Sequence, residues 1–304
     1  MKDKVLITGG SGLLALNWAM AIRDLYSVVL GLYDRHVSMT GVESRQIDIE
    51  SINDLTKTVE SIRPLIVVHT AGLTSVEACE ANPELARHVN VELSFNVAQA
   101  CAKLNLQLVH ISTDHLFSGL EPSVNEAYLV NPRNVYGQTK AEAETRVMEA
   151  HPEALVIRTN FYGWGPSYRS SFSDTIINSL RSGNEVNLFA DVFYTPILAE
   201  TLTFATHDLI KKQAKGIFNV VCDERISKYE FGLKLAKYLH LNESLIKPVL
   251  FGDKPGLVQR PLDLSLSNKK TCDLIGRKLG NIDSDIERLY EQEKLGIAKE
   301  IQNL

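Results

Sequence analysis

The sequence has few cysteines and no closely spaced cysteine pair. Cys79, Cys101, Cys222 and Cys272 lie far apart, and no CxxC motif occurs. Zinc sites and disulfide frameworks need clustered or paired thiols, so this spacing argues against both. We therefore predict reduced thiols in a cytoplasmic protein, and no metal site.

Long apolar runs and an excess of basic residues are also missing. No stretch approaches the ~20 apolar residues that span a bilayer. The opening segment MKDKVLITGG lacks the apolar core and the cleavage site of a signal peptide. The net charge is -5 without a basic arm, which disfavours nucleic acid as a partner. The sequence predicts a cytoplasmic protein that binds neither membranes nor nucleic acid.

The chain does contain enough apolar residues for a large core, with 44% hydrophobic residues among 304. In its first half, short apolar strand patterns alternate with helical patterns. The predicted strands are Val5–Thr8, Ser27–Leu32, Leu65–His69, Gln107–Ile111 and Ala154–Arg158. The predicted helices are Leu14–Leu25, Ile52–Ile62, Pro83–Leu104 and Asn134–Ala150. Strands that are apolar on both faces and alternate with helices indicate an α/β fold with a doubly wound parallel sheet.

The second half of the chain is less regular. Its predicted helices are Phe172–Arg181, Ala199–Ile210, Lys228–Leu239 and Ser284–Glu300, and Gly216–Val221 is predicted as a late strand of the same sheet. We predict that residues 1–160 form the main domain, to which 190–222 return. Residues 161–189 and 223–304 are predicted to form a smaller C-terminal lobe.

A glycine-rich turn joins the first predicted strand to the first helix. The segment GGSGLLA, from Gly9 to Ala15, has the spacing GxxGxxA. The first glycine permits a tight turn, Gly12 lets the backbone approach a pyrophosphate, and Ala15 leaves room for helix packing. The amides at the start of a helix attract phosphate charge. We predict that Gly9, Gly12, Leu13 and Leu14 bind a dinucleotide; the alternative is an ordinary βα turn of small residues.

The end of the second strand would contact the adenosine ribose of such a cofactor. An acidic residue there holds the ribose of NAD, whereas an arginine accommodates the 2′-phosphate of NADP. The chain offers both, as Asp34 and Arg35. The cofactor is thus NADP(H) or NAD(H), and we favour NADP because Arg35 and His36 supply positive charge.

Two further segments fit the same cofactor. Asp48 and Ile49 end a short apolar run where an adenine ring would lie. Ala71 and Gly72 follow a predicted strand, and their small side chains would let the backbone approach the middle of the cofactor. All four are predicted cofactor-binding residues.

The predicted helix at Asn134 carries a YxxxK motif formed by Tyr136 and Lys140. Residues four apart share one helix face, and a nearby cation makes a phenol a better acid. The motif alone is unspecific. However, Thr113 directly follows a predicted strand, at the sheet edge where ligands bind in open α/β sheets, and its hydroxyl could bond a substrate carbonyl.

Several segments together resemble a known family. TGGSGLLA, ISTDHLFSG, NPRNVYGQTKAEAE and VIRTNFYG occur in the order and spacing of extended short-chain dehydrogenases. They are most similar to the dTDP-4-dehydrorhamnose reductase (RmlD-like) family. The segments KGIFNVVCDERISKYEFGLKLA and QRPLDLSLSNKK also resemble that family, and equally the regulatory β subunit of methionine adenosyltransferase.

This resemblance implies a Rossmann-like domain with a smaller C-terminal substrate lobe. It also implies an NAD(P)-dependent oxidoreductase that reduces a nucleotide-linked keto-sugar, of the 4-keto-6-deoxy-hexose type, in polysaccharide biosynthesis. Tyr136 would donate the proton, Lys140 would bind the nicotinamide ribose and lower the tyrosine pKa, and Thr113 would orient the carbonyl.

The predicted substrate residues are Asp114, His115, Trp164 and Arg260. His115 stands where the family usually has tyrosine, and FADVFYTP only partly resembles the family pattern DQ-x-G-x-PT, so the identity of the sugar stays open. Each residue also has a structural alternative: Asp114 as a turn cap, His115 bonded to a loop carbonyl, Trp164 as packing and Arg260 in a surface ion pair.

Two other functions remain open at this point. One is a non-catalytic NADP-binding regulatory subunit, and the other is a nucleotide-sugar epimerase or dehydratase that recycles tightly held NAD. A dehydratase usually has an acidic pair beside the upstream hydroxyl, whereas here Asp114 precedes His115. The expected partner is a nucleotide-sugar, and we allow for a homodimer.

Overall fold

The computed structural model describes residues 2–254 and 256–304; Met1 and Pro255, which fall inside the predicted domain ranges, lie outside the described residues. The strands are β1 Lys4–Thr8, β2 Ser27–Leu32, β3 Glu43–Gln46, β4 Ile66–His69, β5 Gln107–Ile111, β6 Leu155–Arg158, β7 Phe161–Tyr162, β8 Val186–Phe189, β9 Phe193–Tyr194, β10 Ile197–Leu198, β11 Gly216–Asn219, β12 Ile226–Ser227 and β13 Ile246–Val249.

The α-helices among the described residues are α1 Leu13–Ile22, α2 Ile52–Ile62, α3 Val76–Ala81, α4 Pro83–Arg87, α5 Leu93–Lys103, α6 Val135–Ala150, α7 Phe172–Arg181, α8 Ala199–Lys211, α9 Lys228–Tyr238, α10 Lys269–Ile275, α11 Ile282–Lys294 and α12 Ile297–Gln302. A π-helical segment spans His88–Glu92. Within the same described ranges, no helix is both long and apolar enough to cross a membrane.

Seven parallel strands form the central sheet in the order β11-β6-β5-β4-β1-β2-β3. The register places Thr8 at the end of β1 between Gly31 of β2 and His69 of β4. From β1 the chain builds outward in one direction through β2 and β3 and in the other through β4, β5 and β6. Ligands of open α/β sheets bind at the carboxyl edge where this reversal occurs. The loops after β1, β4 and β5 therefore meet at one edge.

Alternating residues of each strand are buried on opposite faces of the sheet. Val5 and Ile7 of β1 belong to one apolar cluster, whereas Leu6 belongs to a second cluster with residues of α2 and α5. Because successive strand side chains point to opposite faces, this division shows that helices cover both sides. The predicted doubly wound, Rossmann-like α/β fold is confirmed.

Shorter sheets organise the rest of the described chain. β7 pairs with β10, β8 pairs with β13, and β9 pairs antiparallel with β12. The predicted late strand at Gly216–Val221 is β11, which joins the central sheet beside β6. The exact boundaries of a main domain and a substrate lobe stay a prediction.

Several elements differ from the predicted pattern. The expected helix Pro83–Leu104 is divided by the π-helical segment, and the expected helix Ser284–Glu300 is divided at Gly296, whose φ is 80°. β3 was not predicted, because all four of its residues, Glu43–Gln46, are exposed and polar. An edge strand with polar side chains gives no apolar alternation for a sequence to show.

We expect Gly9→Ala to lower the free energy of unfolding by about 2–4 kcal/mol. The cost of a positive φ at a residue other than glycine adds to the cost of a steric clash. Gly9 has a φ of +76°, and a Cβ on it would lie 2.6 Å from the Ala71 backbone nitrogen. Gly183 is a matched control: its φ is +75°, with no described heavy atom within 4 Å of an added Cβ. Gly183→Ala should cost only about 1 kcal/mol. Equal losses in urea unfolding would contradict the close approach of the two loops.

Candidate active site

Helix α6 carries three functional side chains on one face. Asn134 begins the helix, and its side chain accepts a hydrogen bond from the Gly137 backbone nitrogen at 2.9 Å. Tyr136, Lys140 and Glu144 follow at intervals of four residues and are all buried. One helical turn separates each from the next. The Asn134 cap fixes where the helix begins and thereby fixes where the Tyr136 phenol and the Lys140 ammonium lie along the sheet edge.

A buried ion pair fixes this helix against two strands. Glu144 pairs with Arg158 of β6 at 2.7 Å and also accepts a hydrogen bond from the Ser112 hydroxyl at 2.6 Å. Both charged side chains are at most 5% exposed. The pair thereby joins α6 to the ends of β5 and β6.

Lys140 lies in an almost uncharged environment. Its ammonium donates to the Ile111 carbonyl at 2.7 Å and lies 3.4 Å from His110 Nε2. Burial lowers the pKa of Lys140 to about 8, although Glu144 acts in the opposite direction. Burial also lowers the pKa values of His110 and His69, the latter to about 3, so both imidazoles are neutral near pH 7. A ligand group can therefore bind the Lys140 ammonium, because the two neighbouring imidazoles carry no positive charge.

Tyr136 and Thr113, the predicted reacting residues, line the same cleft. Burial raises the pKa of Tyr136 to about 12, while a hydrogen bond with the Thr113 side chain lowers it. Thr113 accepts from the His115 backbone nitrogen at 3.2 Å and donates to the Asp114 carboxylate at 3.2 Å. The phenol thus keeps its proton at neutral pH beside a fixed hydroxyl, as a proton donor requires.

Asp114 and His115 continue this polar surface. Asn160 donates to Asp114 at 2.6 Å, and burial raises the pKa of Asp114 to about 6 against this bond. The His115 ring packs edge-on against Tyr136, with centroids 5.4 Å apart, and burial lowers its pKa to about 3. No described atom bonds its buried Nδ1. The structural alternative, a bond to a loop carbonyl, is therefore not formed by this nitrogen among the described residues.

Lys228, the first residue of α9, adds an ammonium beside Asp114. Its Nζ lies 4.5 Å from the centroid of the Phe172 ring and 4.7 Å from that of Tyr194. Burial lowers the pKa of Lys228 to about 8, and Asp114 raises it. Within residues 2–254 and 256–304, it makes no direct ion pair with a carboxylate. An ammonium held at this position is suited to bind a polar group of a ligand.

The turn after β1 fits a pyrophosphate. Gly12 caps α1 through its backbone, and no described side chain caps the helix or places an acidic group in its first turn. The first amides of a helix have no intrahelical partners, so Leu13 and Leu14 can offer theirs to phosphate oxygens. Gly9 accepts from the Gly12 nitrogen at 2.8 Å and keeps Ala71 close. The structure therefore satisfies the backbone requirements for a nicotinamide dinucleotide.

One cleft brings together ten of the predicted residues. Gly12, Leu13, Leu14, Ala71, Gly72, Thr113, Asp114, His115, Tyr136 and Lys140 line it. Asp34 and Arg35 are exposed after β2, and Asp48 is exposed after β3, where Ile49 packs on the core. Their contacts with a cofactor stay predictions.

Trp164, a predicted substrate residue, lies in the apolar core. It is 1% exposed, belongs to the apolar core, and does not line the cleft. Its carbonyl accepts from the Asn17 side chain at 2.7 Å, which holds it against α1. This position favours the packing alternative, and a contact with substrate stays a prediction. Phe161 in β7 is the aromatic residue that lines the cleft instead.

Arg260 makes the ion pair that was its structural alternative, with Glu77. Its charge still acts on two groups near the cleft, since it lowers the pKa values of both His115 and Lys228. Its buried Nε has no hydrogen-bond partner in the described structure. Contact with a substrate phosphate stays a prediction.

Sequence reasoning missed four residues of this region. Arg169 and Asn90 line the cleft; Asn90 holds the loop after β4 by accepting from the Leu73 nitrogen at 2.7 Å. Neither belongs to a recognisable motif. Asn160 lines the cleft too. Lys228 did have a signal, because a cation at the start of a helix opposes the helix dipole.

Comparison with known proteins places this geometry in a family. The model of the RmlD substrate binding domain matches residues 2–295. The chain is similar to the probable low-salt glycan biosynthesis reductase Agl14 of Haloferax volcanii, with 27% identity over 268 residues, 86% of this chain and 89% of that protein. It is also similar to the methionine adenosyltransferase 2 subunit beta of Rattus norvegicus, with 26% identity over 275 residues, 88% of this chain and 81% of that protein.

The crystal structure of dTDP-4-dehydrorhamnose reductase from Bacillus anthracis in complex with NADP has the same fold. The two structures match with a TM-score of 0.85 and a sequence identity of 27%. The match covers 96% of this chain and 100% of that chain. The bound NADP agrees with the predicted nicotinamide cofactor. Since the family model extends over nearly all of the sequence, the predicted kinship with NAD(P)-dependent oxidoreductases is confirmed, and the chain belongs to the RmlD substrate binding domain family.

Proposed function

We propose that this protein reduces the keto group of a nucleotide-linked sugar, of the 4-keto-6-deoxy-hexose type, with NADPH as the reductant. The observation that carries the proposal is a single cleft lined by Thr113, Tyr136, Lys140 and the phosphate-binding turn. A proton donor, a hydroxyl and a cation thus lie beside the backbone that fits a dinucleotide. The similarity to Agl14 and to the Bacillus anthracis reductase supports the same reaction class.

Each residue of the cleft has a defined part in this reaction. A nicotinamide dinucleotide bound on the glycine turn supplies the hydride. Tyr136 gives its phenolic proton to the carbonyl oxygen, and Thr113 orients that oxygen by a hydrogen bond. Lys140 stabilises the phenolate as its negative charge develops, and its ammonium can also hold a ribose hydroxyl. The roles match the charge states, because Tyr136 is protonated and Lys140 largely cationic at neutral pH.

The sugar would form hydrogen bonds with Asp114, Asn160 and Lys228. A hydroxyl group both donates and accepts hydrogen bonds. The Asp114 carboxylate can accept from a ring hydroxyl, while the Lys228 ammonium can donate to it. Arg260 and Arg169 place further positive charge near the cleft, which suits the diphosphate of a nucleotide-sugar.

A regulatory subunit is the second candidate, because a methionine adenosyltransferase β subunit has almost the same identity to this chain as the Agl14 reductase. The complete set of Thr113, Tyr136 and Lys140 favours the reductase, since regulation alone does not require a proton donor. An epimerase would recycle its cofactor and consume no NAD(P)H. Turnover therefore separates the three functions.

We expect Tyr136→Phe to lower kcat by about 10²–10⁴-fold, because it removes the proton donor. The assay follows NADPH oxidation with a panel of nucleotide-linked 4-keto-6-deoxy-sugars, and fluorescence titration measures the NADPH Kd in parallel. The Kd should change little. Tyr162→Phe is the matched control: Tyr162 is 2% exposed in the core, and its hydroxyl has no partner in the described structure.

The outcomes of this experiment are distinct. Loss of turnover in Tyr136→Phe but not in Tyr162→Phe supports the reductase. Tight NADPH binding without turnover of any sugar by the wild type contradicts it and directs attention to a protein partner. Bound NAD that is never consumed indicates a redox-neutral reaction.

The pH dependence of kcat should show an alkaline decline with an apparent pKa near 8. Lys140 loses its proton as the pH rises through this value, and the phenolate then loses its stabilising cation. Tyr136, with a pKa of about 12, cannot cause the decline. Lys228 titrates in the same range, so the profile of Lys228→Met is the control. A profile that is flat to pH 9.5, or a decline lost in Lys228→Met, would contradict the role of Lys140.

Lys228→Met should raise KM for the nucleotide-sugar about tenfold while kcat changes little, since a charged hydrogen bond is lost in substrate binding. Steady-state kinetics at saturating NADPH measure both constants. Lys234→Met is the control on the same helix, where Lys234 pairs with Asp283 away from the cleft. An unchanged KM in Lys228→Met would remove Lys228 from the sugar site.

A further inference from the structure

A loop between β7 and α7 reaches across the sheet edge to the cofactor side. We call residues 165–171 the strap. The Tyr168 hydroxyl donates to the Ser11 carbonyl at 2.7 Å, inside the glycine turn. The neighbouring Arg169 donates to the Thr74 hydroxyl at 2.7 Å, in the loop after β4. Two consecutive strap residues are therefore bonded to two different cofactor-side loops.

Tyr168 also contacts the arginine that follows β2. The guanidinium carbon of Arg35 lies 3.9 Å from the centroid of the Tyr168 ring. In the part of the chain that the structure describes, Arg35 has no ion pair with a carboxylate, and the tyrosine ring is the contact that locates its head group. Since the hydroxyl of the same tyrosine is bonded to Ser11, the ring places Arg35 next to the phosphate-binding turn.

We propose that Tyr168 is a positioning residue that orients Arg35 to bind the 2′-phosphate of NADP, so that a residue of the strap sets the cofactor preference. The inference rests on the proposed use of a nicotinamide dinucleotide. It assigns to the strap, which lies in the predicted substrate lobe, a part in choosing between NADPH and NADH.

The stacked geometry suits this role. A ring that contacts the flat face of a guanidinium leaves the in-plane N–H groups free, and these are the groups that bind phosphate oxygens. Adjacent Asp34 would repel a 2′-phosphate, so an arginine held in place is needed to favour it. NADH offers a ribose hydroxyl there and gains little from the cation. The contact should therefore strengthen the binding of NADPH and not that of NADH.

The test is the ratio of the NADH and NADPH Kd values, measured by fluorescence titration without any sugar. The wild type should bind NADPH at least about tenfold more tightly, as a charged contact to phosphate implies. Tyr168→Leu should lower the ratio about fivefold by raising the Kd of NADPH, while the Kd of NADH should stay within about twofold of the wild-type value. Tyr168→Phe keeps the ring and should retain more of the preference. Arg35→Ala should abolish it, and adding Tyr168→Leu to Arg35→Ala should change nothing further.

Tyr290→Leu is the matched control. Tyr290 in α11 carries a similar contact, with Lys294 Nζ 3.9 Å from its ring centroid, outside the cofactor cleft. Its loss should leave the ratio unchanged. Three results would overturn the proposal: a wild type that does not prefer NADPH, an unchanged ratio in Tyr168→Leu, or equal weakening of NADPH and NADH. NADH binding reports whether each variant is folded. Failure of the reductase function would appear separately, as absent turnover with an intact NADPH preference.

Discussion

The ion pair between Glu144 and Arg158 is the interaction on which the candidate site depends. It is buried, and the same carboxylate accepts the Ser112 hydroxyl, so one side chain of α6 is bonded to both β5 and β6. Breaking such a pair by removing one partner typically costs about 3–5 kcal/mol, because the other charge stays buried. Lys140 and Tyr136 lie on the same helix face, one and two turns away respectively. Their distances to Thr113 and Ile111 therefore follow from where this pair anchors the helix.

The electrostatic state of the cleft follows from the same arrangement. His69 at the end of β4 bonds the Thr8 hydroxyl at 2.7 Å and the Ser94 hydroxyl at 3.0 Å, and its ring stacks on His110 with centroids 5.6 Å apart. Both histidines are buried and neutral. The Lys140 ammonium thus contacts a carbonyl and an imidazole, and burial lowers its pKa. A buried cation gains most when a negative charge appears nearby, as it would if Tyr136 gave up its proton.

The fold and the presence of Thr113, Tyr136 and Lys140 in one cleft could be predicted because their signals are local. The apolar strands, the glycine turn and the YxxxK spacing each occupy one short segment, and the parallel sheet places their carboxyl ends together. Arg169 and Asn90 could not be found this way, since distant parts of the chain bring them to the cleft. Trp164 shows the limit of sequence-based prediction within a short segment. Phe161, three residues earlier, lines the cleft, whereas Trp164 is buried, and the sequence alone does not distinguish these two aromatic residues. The homodimer, the cytoplasmic location and the domain boundaries stay predictions.

Fold and chemistry are separable in this protein, which explains how similar chains can include a probable reductase and a methionine adenosyltransferase subunit. The groups that fix the architecture, such as Glu144 and Arg158, do not react. Tyr136, by contrast, contributes a hydroxyl whose bond to Thr113 holds no strand or helix in place. Losing that hydroxyl would remove the proton donor while leaving the sheet, the glycine turn and the strap intact. A chain of this fold can therefore keep cofactor binding after it has lost catalysis. For this reason cofactor affinity alone cannot identify the function, whereas dependence of turnover on Tyr136 can.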